Sequence, residues 1–492
     1  VDPYSGRFYA TYRTLISALL RMRWLVLAVA VLVMIGGFYV ASQMTRELFG
    51  PSDRNQFLVY LNLPAGYNIE ATDESVHRLT RWLANDEINP EVESTIAYVG
   101  TGGPRFFLVL DPVRPNPHVA FLVVNVQSSD QTPVVAQRLR QHFTQAFPEA
   151  EGRAKQMWLG AAEPGFVEIR LYGPDADELF EKGKRLLDGL RAIPGMHEAR
   201  SDWENRVPMA RVVVDQTRAR RAEVTSREVA RGLLSQMDGL TITDYREGDI
   251  AIPVVARTPA EERRTMADLW NVQVDSETTG AAVPLTQVAD IIGEWGFFRI
   301  NRRNQERCLT IELKHETLLA PELLDAAMPL IDDLELEGDY WWEPGGEIEQ
   351  STEVLGQLGD NMPIALLGIV VLLIWQFNSF RKPAIIFITI PLAFVGAFLG
   401  LTIMRAPLDF FAMLGLLSLA GVIINNGIVL IDRIDSERES GVELTDAIID
   451  AAVTRLRPIL MATATTILGL MPLIVSKDPL FYSMAINMAS GL

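Results

Sequence analysis

The sequence has 492 residues, of which 49% are hydrophobic and 22% are charged, and its formal net charge is −18. This negative balance argues against a nucleic-acid partner, because phosphate binding needs a surplus of basic side chains. A single cysteine, Cys308, excludes an intramolecular disulfide and a cysteine-based metal cluster. The histidines are scattered without zinc-ligand spacing, and the sequence carries no cofactor fingerprint. We therefore expect no resident metal and no cofactor.

Apolar runs long enough to cross a bilayer occur near both ends of the chain, since a spanning helix needs about 20 mostly apolar residues. The first run, Trp24 to Ser42, lies in an N-terminal segment, 1–42. The later runs lie within residues 348–492, at 363–377, 384–403, 410–431 and 458–475, with another beginning near 482. Arginine and lysine are concentrated in 7–23, 377–383 and the predicted loop 432–457, which places these segments on the cytoplasmic side. The large intervening domain is therefore expected outside.

The intervening domain begins with a strand–helix–strand pattern that occurs twice. QFLVYLNLP at 56–64 alternates and is rich in β-formers, whereas 68–86 has helical spacing. Further strands are predicted at 94–100, 118–126 and 153–160, and a second helix at 132–147. The order is β-α-β, β-α-β, within a subdomain assigned to 43–165.

The same pattern then starts again and is interrupted. A strand at 166–174, a helix at 176–193 and a strand at 209–215 come before the interruption, and a strand at 308–316, a helix at 318–334 and a strand at 339–347 come after it. The interruption, 218–297, is expected to be a small α/β insert with a helix at 225–237 and a strand at 249–257. We therefore expect two split β-α-β units, the second made of 166–217 and 298–347, in an α+β membrane protein.

Four segments give this layout a resemblance to a known family: QFLVYLNLPAG at 56–66, WQFNSFRKP at 375–383, AGVIINNGIVLIDRI at 420–434 and RLRPILMATATTILGLMPL at 455–473. Over essentially its whole length, the chain resembles the C-terminal half of a resistance-nodulation-division (RND) efflux pump of the AcrB-like hydrophobe and amphiphile exporter type. The resemblance implies a transmembrane helix bundle and a large periplasmic region. That region would hold two ferredoxin-like porter subdomains, the second split by a docking or funnel insert.

The resemblance implies a secondary active transporter, a proton antiporter rather than an enzyme, in a Gram-negative inner membrane. It would export apolar or amphiphilic small molecules, antibiotics among them, as a homotrimeric multidrug pump. Its expected partners are the N-terminal half of the same pump, a periplasmic adaptor (membrane fusion) protein, an outer-membrane channel and the lipid bilayer. Two alternatives stay open: a membrane-anchored periplasmic enzyme, and a binding or scaffold protein of a secretion complex.

Two adjacent amides, Asn425 and Asn426, interrupt the apolar run 410–431. A polar side chain inside a span is costly without a partner, so it usually faces the bundle interior. One interpretation is a hydrogen bond between helices, worth around 1 kcal/mol. The other is a proton-coupling site, because related pumps carry at the Asn425 position a lysine that pairs with aspartates of the other half. Since an amide cannot change its charge, the titrating carboxylates are then expected in the N-terminal half.

The next predicted span carries further coupling candidates. Arg455 matches the family's arginine at the cytoplasmic entrance to this helix, and the alternative is membrane anchoring. The family's threonine one position before Thr463 is Ala462 here. Thr463 and Thr466 are the candidate hydroxyls in its place, with hydrogen bonds to their own helix as the alternative.

The segment GTGGPRFFLVLDPVRPNPH at 100–118 is dense in glycine and proline, which predicts an irregular loop between two strands. No Gly-Lys-Ser/Thr follows, so it is not a phosphate loop. In related pumps a glycine-rich loop here separates two substrate pockets, which implies a role for Gly100, Gly102 and Gly103. Phe106 and Phe107 would then give adaptable apolar contact to substrate. The alternative is that both rings pack beneath the loop.

Overall fold

The computed structural model describes residues 6–44, 48–50, 52–107, 109–110, 113–160 and 162–492. They form two compact units. The larger unit takes the described residues up to Leu63, together with Ile69–Asp202 and Asn301–Leu492. The smaller unit takes Pro64–Asn68 and Trp203–Ile300.

The helices are α1 Arg7–Arg21, α2 Arg23–Ser42, α3 Ile69–Leu83, α4 Thr132–Ala146, α5 Ala176–Arg191, α6 Gln216–Arg221, α7 Ser226–Met237, α8 Leu285–Val288, α9 Ala320–Asp332, α10 Glu347–Phe377, α11 Arg381–Met404, α12 Phe410–Glu439, α13 Leu444–Ser476 and α14 Tyr482–Gly491. The strands are β1 Gln56–Asn62, β2 Val92–Val99, β3 Val119–Val126, β4 Glu151–Gln156, β5 Phe166–Tyr172, β6 Met196–Ser201, β7 Arg206–Val214, β8 Leu240–Glu247, β9 Ile250–Ala256, β10 Gln273–Asp275, β11 Ala282–Pro284, β12 Ala289–Phe297, β13 Arg302–Arg303, β14 Glu306–His315 and β15 Trp341–Gly346.

The first sheet of the larger unit has four antiparallel strands in the order β2-β3-β1-β4. Its central strand β1 is buried on both faces. Phe57, Val59 and Leu61 meet the apolar sides of α3 and α4, whereas Leu58 and Tyr60 belong to a second apolar cluster on the opposite face. Alternate residues of a strand point to opposite faces, so one short segment supplies both cores.

The second sheet of the larger unit repeats this strand order. Its strands lie side by side in the order β6-β14-β5-β15, and the two-residue strand β13 also pairs with β14. Val167, Ile169 and Leu171 of β5 are fully buried, as is Leu323 of α9. The predicted strands at 166–174, 308–316 and 339–347 are confirmed as β5, β14 and β15.

One strand predicted for the second sheet belongs elsewhere. Residues 209–215 form part of β7, which pairs antiparallel with β12 inside the smaller unit. The place in the second sheet is taken by β6, which the sequence analysis did not predict. An alternating pattern identifies a strand, but its pairing partner is set by residues far away in the chain. The smaller unit, Trp203–Ile300, is therefore wider than the insert predicted at 218–297.

The smaller unit has an apolar core of its own. Val229 of α7 packs there with Val274 of β10 and Leu285 of α8. The predicted helix at 225–237 is confirmed as α7, and its N-terminus is fixed by a capping box between Thr225 and Glu228. The predicted strand at 249–257 is confirmed as β9, which forms an exposed two-stranded hairpin with β8.

Among the residues that the structure describes, five helices are long and apolar enough to cross a membrane: α2, α10, α11, α12 and α13. Each of the first five predicted spans lies inside one of them. The run predicted near 482 is the shorter α14, which packs against α11 and α12. The prediction of a loop at 432–457 was wrong, because α12 extends to Glu439 and α13 already begins at Leu444. Hydropathy detects only the apolar part of a helix, so polar extensions beyond the bilayer are missed.

The junction between β15 and α10 generates a test of the fold. Gly346 has φ +70°, and a Cβ there would lie 2.6 Å from the carbonyl oxygen of Phe166. Gly346→Ala should therefore lower the free energy of unfolding by at least the roughly 1–2 kcal/mol of a left-handed residue. The matched control is Gly356→Ala in α10, where an added Cβ meets no atom within 4 Å. The control should be neutral or stabilising by up to about 1 kcal/mol. Thermal unfolding of the purified variants decides, and equal melting temperatures would contradict a strained junction.

Candidate functional site

A cavity of about 1040 Å³ opens between the two sheets of the larger unit. Its walls come from α4 and β4 on one side, and from β6 and the end of β14 on the other. Residues 157–160 and 162–165, which connect β4 to β5, complete its floor; we call this segment the cleft loop, and the cavity the cleft. Charged and polar side chains make up much of the cleft's lining.

Four charged side chains form a cluster at the cleft, of which Glu163, Glu198 and Lys314 line the cavity and Lys155 lies behind them. They comprise two cations and two carboxylates, and we call them the ion quartet: Lys155, Lys314, Glu163 and Glu198. The ammonium Nζ of Lys155 lies 2.7 Å from Oε2 of Glu163 and 3.2 Å from Oε2 of Glu198. Lys314 forms an ion pair with the other oxygen of Glu163. Because Lys155 belongs to β4, Glu198 to β6 and Lys314 to β14, the quartet joins the first sheet to the second.

Burial makes the quartet electrostatically strong. The side chains of Lys155, Glu163 and Glu198 are 7%, 6% and 3% exposed. Burial alone disfavours the charged form of Glu198, but the cations around it, Lys155 first, outweigh that effect and lower its pKa to about 2. The pKa of Glu163 is lowered for the same reason. Burial also opposes the charge of Lys155, yet its two carboxylate partners raise its pKa to about 12. All three groups are therefore charged at neutral pH.

Other titratable groups line the cleft without joining the quartet. Burial lowers the pKa of His197 to about 4, so its imidazole is neutral, and its Nδ1 is buried without a hydrogen-bond partner. Arg200 is paired with Glu312 at 2.5 Å. Across the described ranges, no group of three or more His, Cys, Asp and Glu side chains is arranged to hold a metal ion.

The cleft is not apparent from the sequence. RAKQMWLG at 153–160 was predicted as a strand, and its residues 153–156 form the second part of β4, which begins at Glu151. Its lysine carried no sign of burial, because lysine is rarely buried unless it is paired, and its partners lie elsewhere in the sequence. An available signal was Glu163, a carboxylate in a short Gly- and Pro-containing connection between two predicted strands.

The glycine-rich loop lies beside the cleft. Gly100 and Gly103 have φ values of +73° and +68°, which L side chains rarely adopt. Phe106 is 40% exposed, whereas Phe107 is half-buried and its ring meets Trp158 edge-on at 5.8 Å. Trp158 also lines the cleft, so this contact connects the loop to the cavity wall. The third glycine, Gly102, is buried, and a Cβ there would collide with the backbone of Val113.

The coupling candidates lie on two packed helices. Asn425 and Asn426 are on α12, the former exposed and the latter half-buried, and Arg455 is half-buried on α13. Helices α12 and α13 pack against each other. On α13, Thr463 is half-buried, and the hydroxyl of Thr466 donates to the carbonyl of Ala462 at 2.9 Å.

A second cavity of about 300 Å³ lies on the face of the second sheet that carries Glu168 and Arg170. Burial raises the pKa of Asp202 in its wall to about 6, even though the backbone N–H of Thr310 and the amide of Asn301 both donate to this carboxylate. The buried Cys308 lines the same cavity. Sequence patterns gave no indication of this cavity, because its residues come from separate strands.

The chain matches a known protein family and is similar to efflux and metal-resistance proteins. The family model described as "AcrB/AcrD/AcrF family" matches residues 4–492. The chain is 26% identical over 407 residues to the cation efflux system protein CzcA of Alcaligenes sp. strain CT14, covering 79% of this chain and 37% of that protein. It is 29% identical over 317 residues to the cobalt-zinc-cadmium resistance protein CzcA of Cupriavidus metallidurans, covering 63% of this chain and 30% of the relative. The chain thus spans about a third of the length of these relatives.

Solved structures share the fold. A crystal structure described as a heavy metal efflux pump, crystal form II, superposes with a TM-score of 0.78 over 98% of this chain and 49% of that chain, at 22% identity. Crystal form I gives a TM-score of 0.76 at 23% identity. At this level of identity the likeness concerns the fold alone.

The ion quartet generates a test by substitution and pH. Lys155→Met removes the shared cation and leaves buried carboxylates undercompensated, which should destabilise the closed cleft by roughly 3–5 kcal/mol. The carboxylate pKa values are lowered by folding, so their contribution to stability is present above about pH 4.5 and is lost as pH falls toward 2. The loss of stability caused by Lys155→Met should therefore become smaller at acidic pH, because protonation removes the negative charge of the carboxylates that have lost their partner. Hydrogen exchange of β4 and β6 amides as a function of pH measures both effects.

The control for this test is an exposed ion pair. Arg78 and Glu149 lie 2.8 Å apart with side chains 43% and 36% exposed. Glu149→Gln should change stability by less than about 1 kcal/mol. If Lys155→Met behaves like this control, the quartet does not hold the two sheets together.

Proposed function

The chain belongs to the AcrB/AcrD/AcrF family, and we propose that it forms the C-terminal half of a proton-driven RND efflux transporter of a Gram-negative inner membrane. The observation that carries the proposal is the family match across residues 4–492, which covers both the candidate membrane spans and the domain between them. A transporter family favours this function over the alternatives of a membrane-anchored enzyme and a secretion scaffold.

For the substrate, we propose divalent transition-metal cations in place of the apolar or amphiphilic molecules that the sequence resemblance implied. One relative is named as a cation efflux system protein, one for resistance to cobalt, zinc and cadmium, and a further one, also from Cupriavidus metallidurans, for resistance to nickel and cobalt. Charged and polar side chains in the cleft lining, Glu163, Glu198 and His197 among them, are compatible with this choice. Carboxylate and imidazole are ligand types that such cations accept, and a cation that binds these carboxylates would have to displace Lys155 and Lys314 from them.

We also propose roles for the subdomains by analogy with the family. The two sheets of the larger unit would be the porter subdomains, and the smaller unit, which contains 218–297, would be the docking subdomain. Through it the pump would engage a periplasmic adaptor and an outer-membrane channel, as a homotrimer. The loop of Gly100, Gly102 and Gly103 would separate substrate compartments, with the exposed ring of Phe106 available for contact.

Proton coupling is proposed at α12 and α13. The exposed amide of Asn425 would hydrogen-bond a carboxylate from the N-terminal half, with Asn426, Thr463 and Thr466 as polar neighbours in the bundle. Arg455 would supply positive charge at the cytoplasmic end of the span. Protonation of the carboxylate would weaken the Asn425 contact and allow α12 to shift.

A resistance assay tests the substrate class. The complete transporter, expressed in a bacterium that lacks its own exporters, should raise tolerance to Zn²⁺, Cd²⁺, Co²⁺ or Ni²⁺ several-fold and leave tolerance to hydrophobic dyes and detergents unchanged. The matched control is the same cell with an empty vector. A gain in dye tolerance without any gain in metal tolerance would contradict the proposal and restore the amphiphile interpretation.

Substitution of Asn425 tests proton coupling. Asn425→Leu should abolish proton-coupled efflux while the protein still folds, because leucine suits apolar packing but cannot bind a carboxylate. Asn425→Lys should retain transport, since it restores the residue that is commoner in the family. Efflux from proteoliposomes under an imposed pH gradient is the measurement.

The matched control for Asn425 is Ser418→Leu. Ser418 is exposed and lies about two turns before Asn425 on the same stripe of α12. It should tolerate leucine. Normal transport by Asn425→Leu at every pH, or equal loss in both variants, would leave the amide with a packing role only.

A further inference from the structure

A buried carboxylate lies where the outer ends of the membrane helices meet the cleft loop. Glu347 is the first residue of α10 and is 7% exposed. Its Oε1 accepts from the backbone N–H of Leu48 at 3.2 Å, and its Oε2 accepts from the backbone N–H of Gly165 at 2.6 Å. One carboxylate thus binds two segments that are far apart in sequence, the chain after α2 and the cleft loop.

The first of these segments also binds the outer end of α12. We call residues 48–50 and 52, between α2 and β1, the connector. The carbonyl of Leu48 accepts from the backbone N–H of Phe410, the first residue of α12, at 3.2 Å. Leu48 therefore bridges α12 and Glu347 through the two polar groups of a single residue. It is buried, so neither bond competes with water.

The second segment leads into the ion quartet. Gly165 lies two residues after Glu163 in the cleft loop, and the carbonyl of Glu163 accepts from Phe166 at 3.2 Å. Two more backbone hydrogen bonds hold the cleft loop to the connector directly. The N–H of Ser52 donates to the carbonyl of Met157 at 2.8 Å, and the N–H of Leu159 donates to the carbonyl of Gly50 at 3.3 Å. A displacement of the connector is thus imposed on the cleft loop, and with it on Glu163.

An apolar contact runs parallel to these hydrogen bonds. The ring of Phe49 in the connector lies 5.6 Å from that of Phe410 and 6.2 Å from that of Phe411. On its other side is Gly160 of the cleft loop, where an added Cβ would overlap the ring of Phe49. The connector is therefore packed between the first turn of α12 and the cleft loop.

We propose that Glu347 is a positioning residue that couples movement of α12 to the cleft, by fastening the connector and the cleft loop to each other and to α10. The coupling rests on the proposed transport function, because α12 carries Asn425. Contiguous hydrogen bonds and packed side chains can carry such coupling between sites, provided that the elements have two arrangements. At the far end of this path the ion quartet joins the two sheets, and the two arrangements that the proposal requires are the sheets held together and the sheets apart.

The first experiment needs no substrate. Hydrogen exchange of the complete pump is compared at neutral and mildly acidic pH. In the wild-type protein, acidification should change protection in the first turn of α12, in the connector and in the cleft loop together. In Glu347→Ala, which loses both bonds, the response of α12 should persist and that of the cleft loop should disappear. Glu347→Gln keeps one acceptor oxygen and should give an intermediate response; it also serves if the alanine variant does not accumulate.

The second experiment measures Zn²⁺ efflux from proteoliposomes. Glu347→Ala should lower the maximal rate by about 5- to 150-fold, the usual range of coupling between sites, and leave the half-saturating Zn²⁺ concentration near the wild-type value. The matched control is Glu349→Gln. Glu349 lies in the same helical turn and pairs at 2.8 and 2.9 Å with Arg170 and Arg303 of the second sheet. Its replacement should leave both measurements close to wild type.

The outcomes separate this inference from the proposed function. If the wild-type pump does not export Zn²⁺ but the cleft-loop response still depends on Glu347, the proposed substrate class is contradicted and the coupling is supported. Wild-type efflux and an unchanged cleft-loop response in Glu347→Ala would overturn the coupling. An equal loss in Glu349→Gln would also overturn it, because the effect would then belong to the whole first turn of α10.

Discussion

The structure depends on a buried set of charges where most folds of this size would place apolar side chains. Lys155 and Lys314 meet Glu163 and Glu198 at the contact between the two sheets of the larger unit. Removing charges from water costs several kcal/mol per ion, and their attraction offsets this cost only while all partners are in place. When the sheets part, water replaces the partners. The closed and open cleft can therefore be close in free energy, which an apolar contact of the same area would not allow.

This arrangement explains why each sheet can remain rigid while the cleft changes. The first sheet has its own apolar core, in which Phe57, Leu79 and Leu139 are buried. The second sheet has an independent apolar layer around Ile169 and Leu323. An opening of the cleft would break neither layer, so each half would move as a packed body. Packed bodies joined by a contact with two arrangements are the usual basis of switching motion in proteins.

The elements of this fold could be predicted from the sequence where the signal is local. Spans such as 384–403 stand out by hydropathy alone, and β5 and α5 by their alternating and helical spacing. The strand β6, MHEARS, was missed because it is short and does not alternate. The strand β7 was predicted, but its partner β12 lies some 80 residues later, and no local pattern specifies that pairing. The polar extensions of α12 and α13 were missed because hydropathy ends at the bilayer.

The candidate site was harder to predict than the fold. Asn425 was conspicuous because a polar group in an apolar run is unusual, whereas Lys155 in RAKQMWLG looked like any solvated strand residue. The charge of Lys155 becomes informative only after folding brings Glu163 and Glu198 to it from a loop and another strand. The substrate class was also inaccessible, because the matching motifs lie in the membrane helices and in β1, and most cleft-lining residues fall outside them.

Glu347 lies on a path of contacts that connects Asn425, on α12, to the cleft. Asn425 lies 15 residues after Phe410 on one uninterrupted helix, a distance of roughly 22 Å at 1.5 Å per residue. A helix of that length is stiff, so a shift at the amide is carried to the first turn with little loss. There the backbone of Phe410 binds Leu48, and Leu48 binds Glu347. Under the proposed coupling, a small displacement of α12 would reach the contact between the two sheets through Leu48 and Glu347, and the ion quartet would then be the contact that it strengthens or weakens.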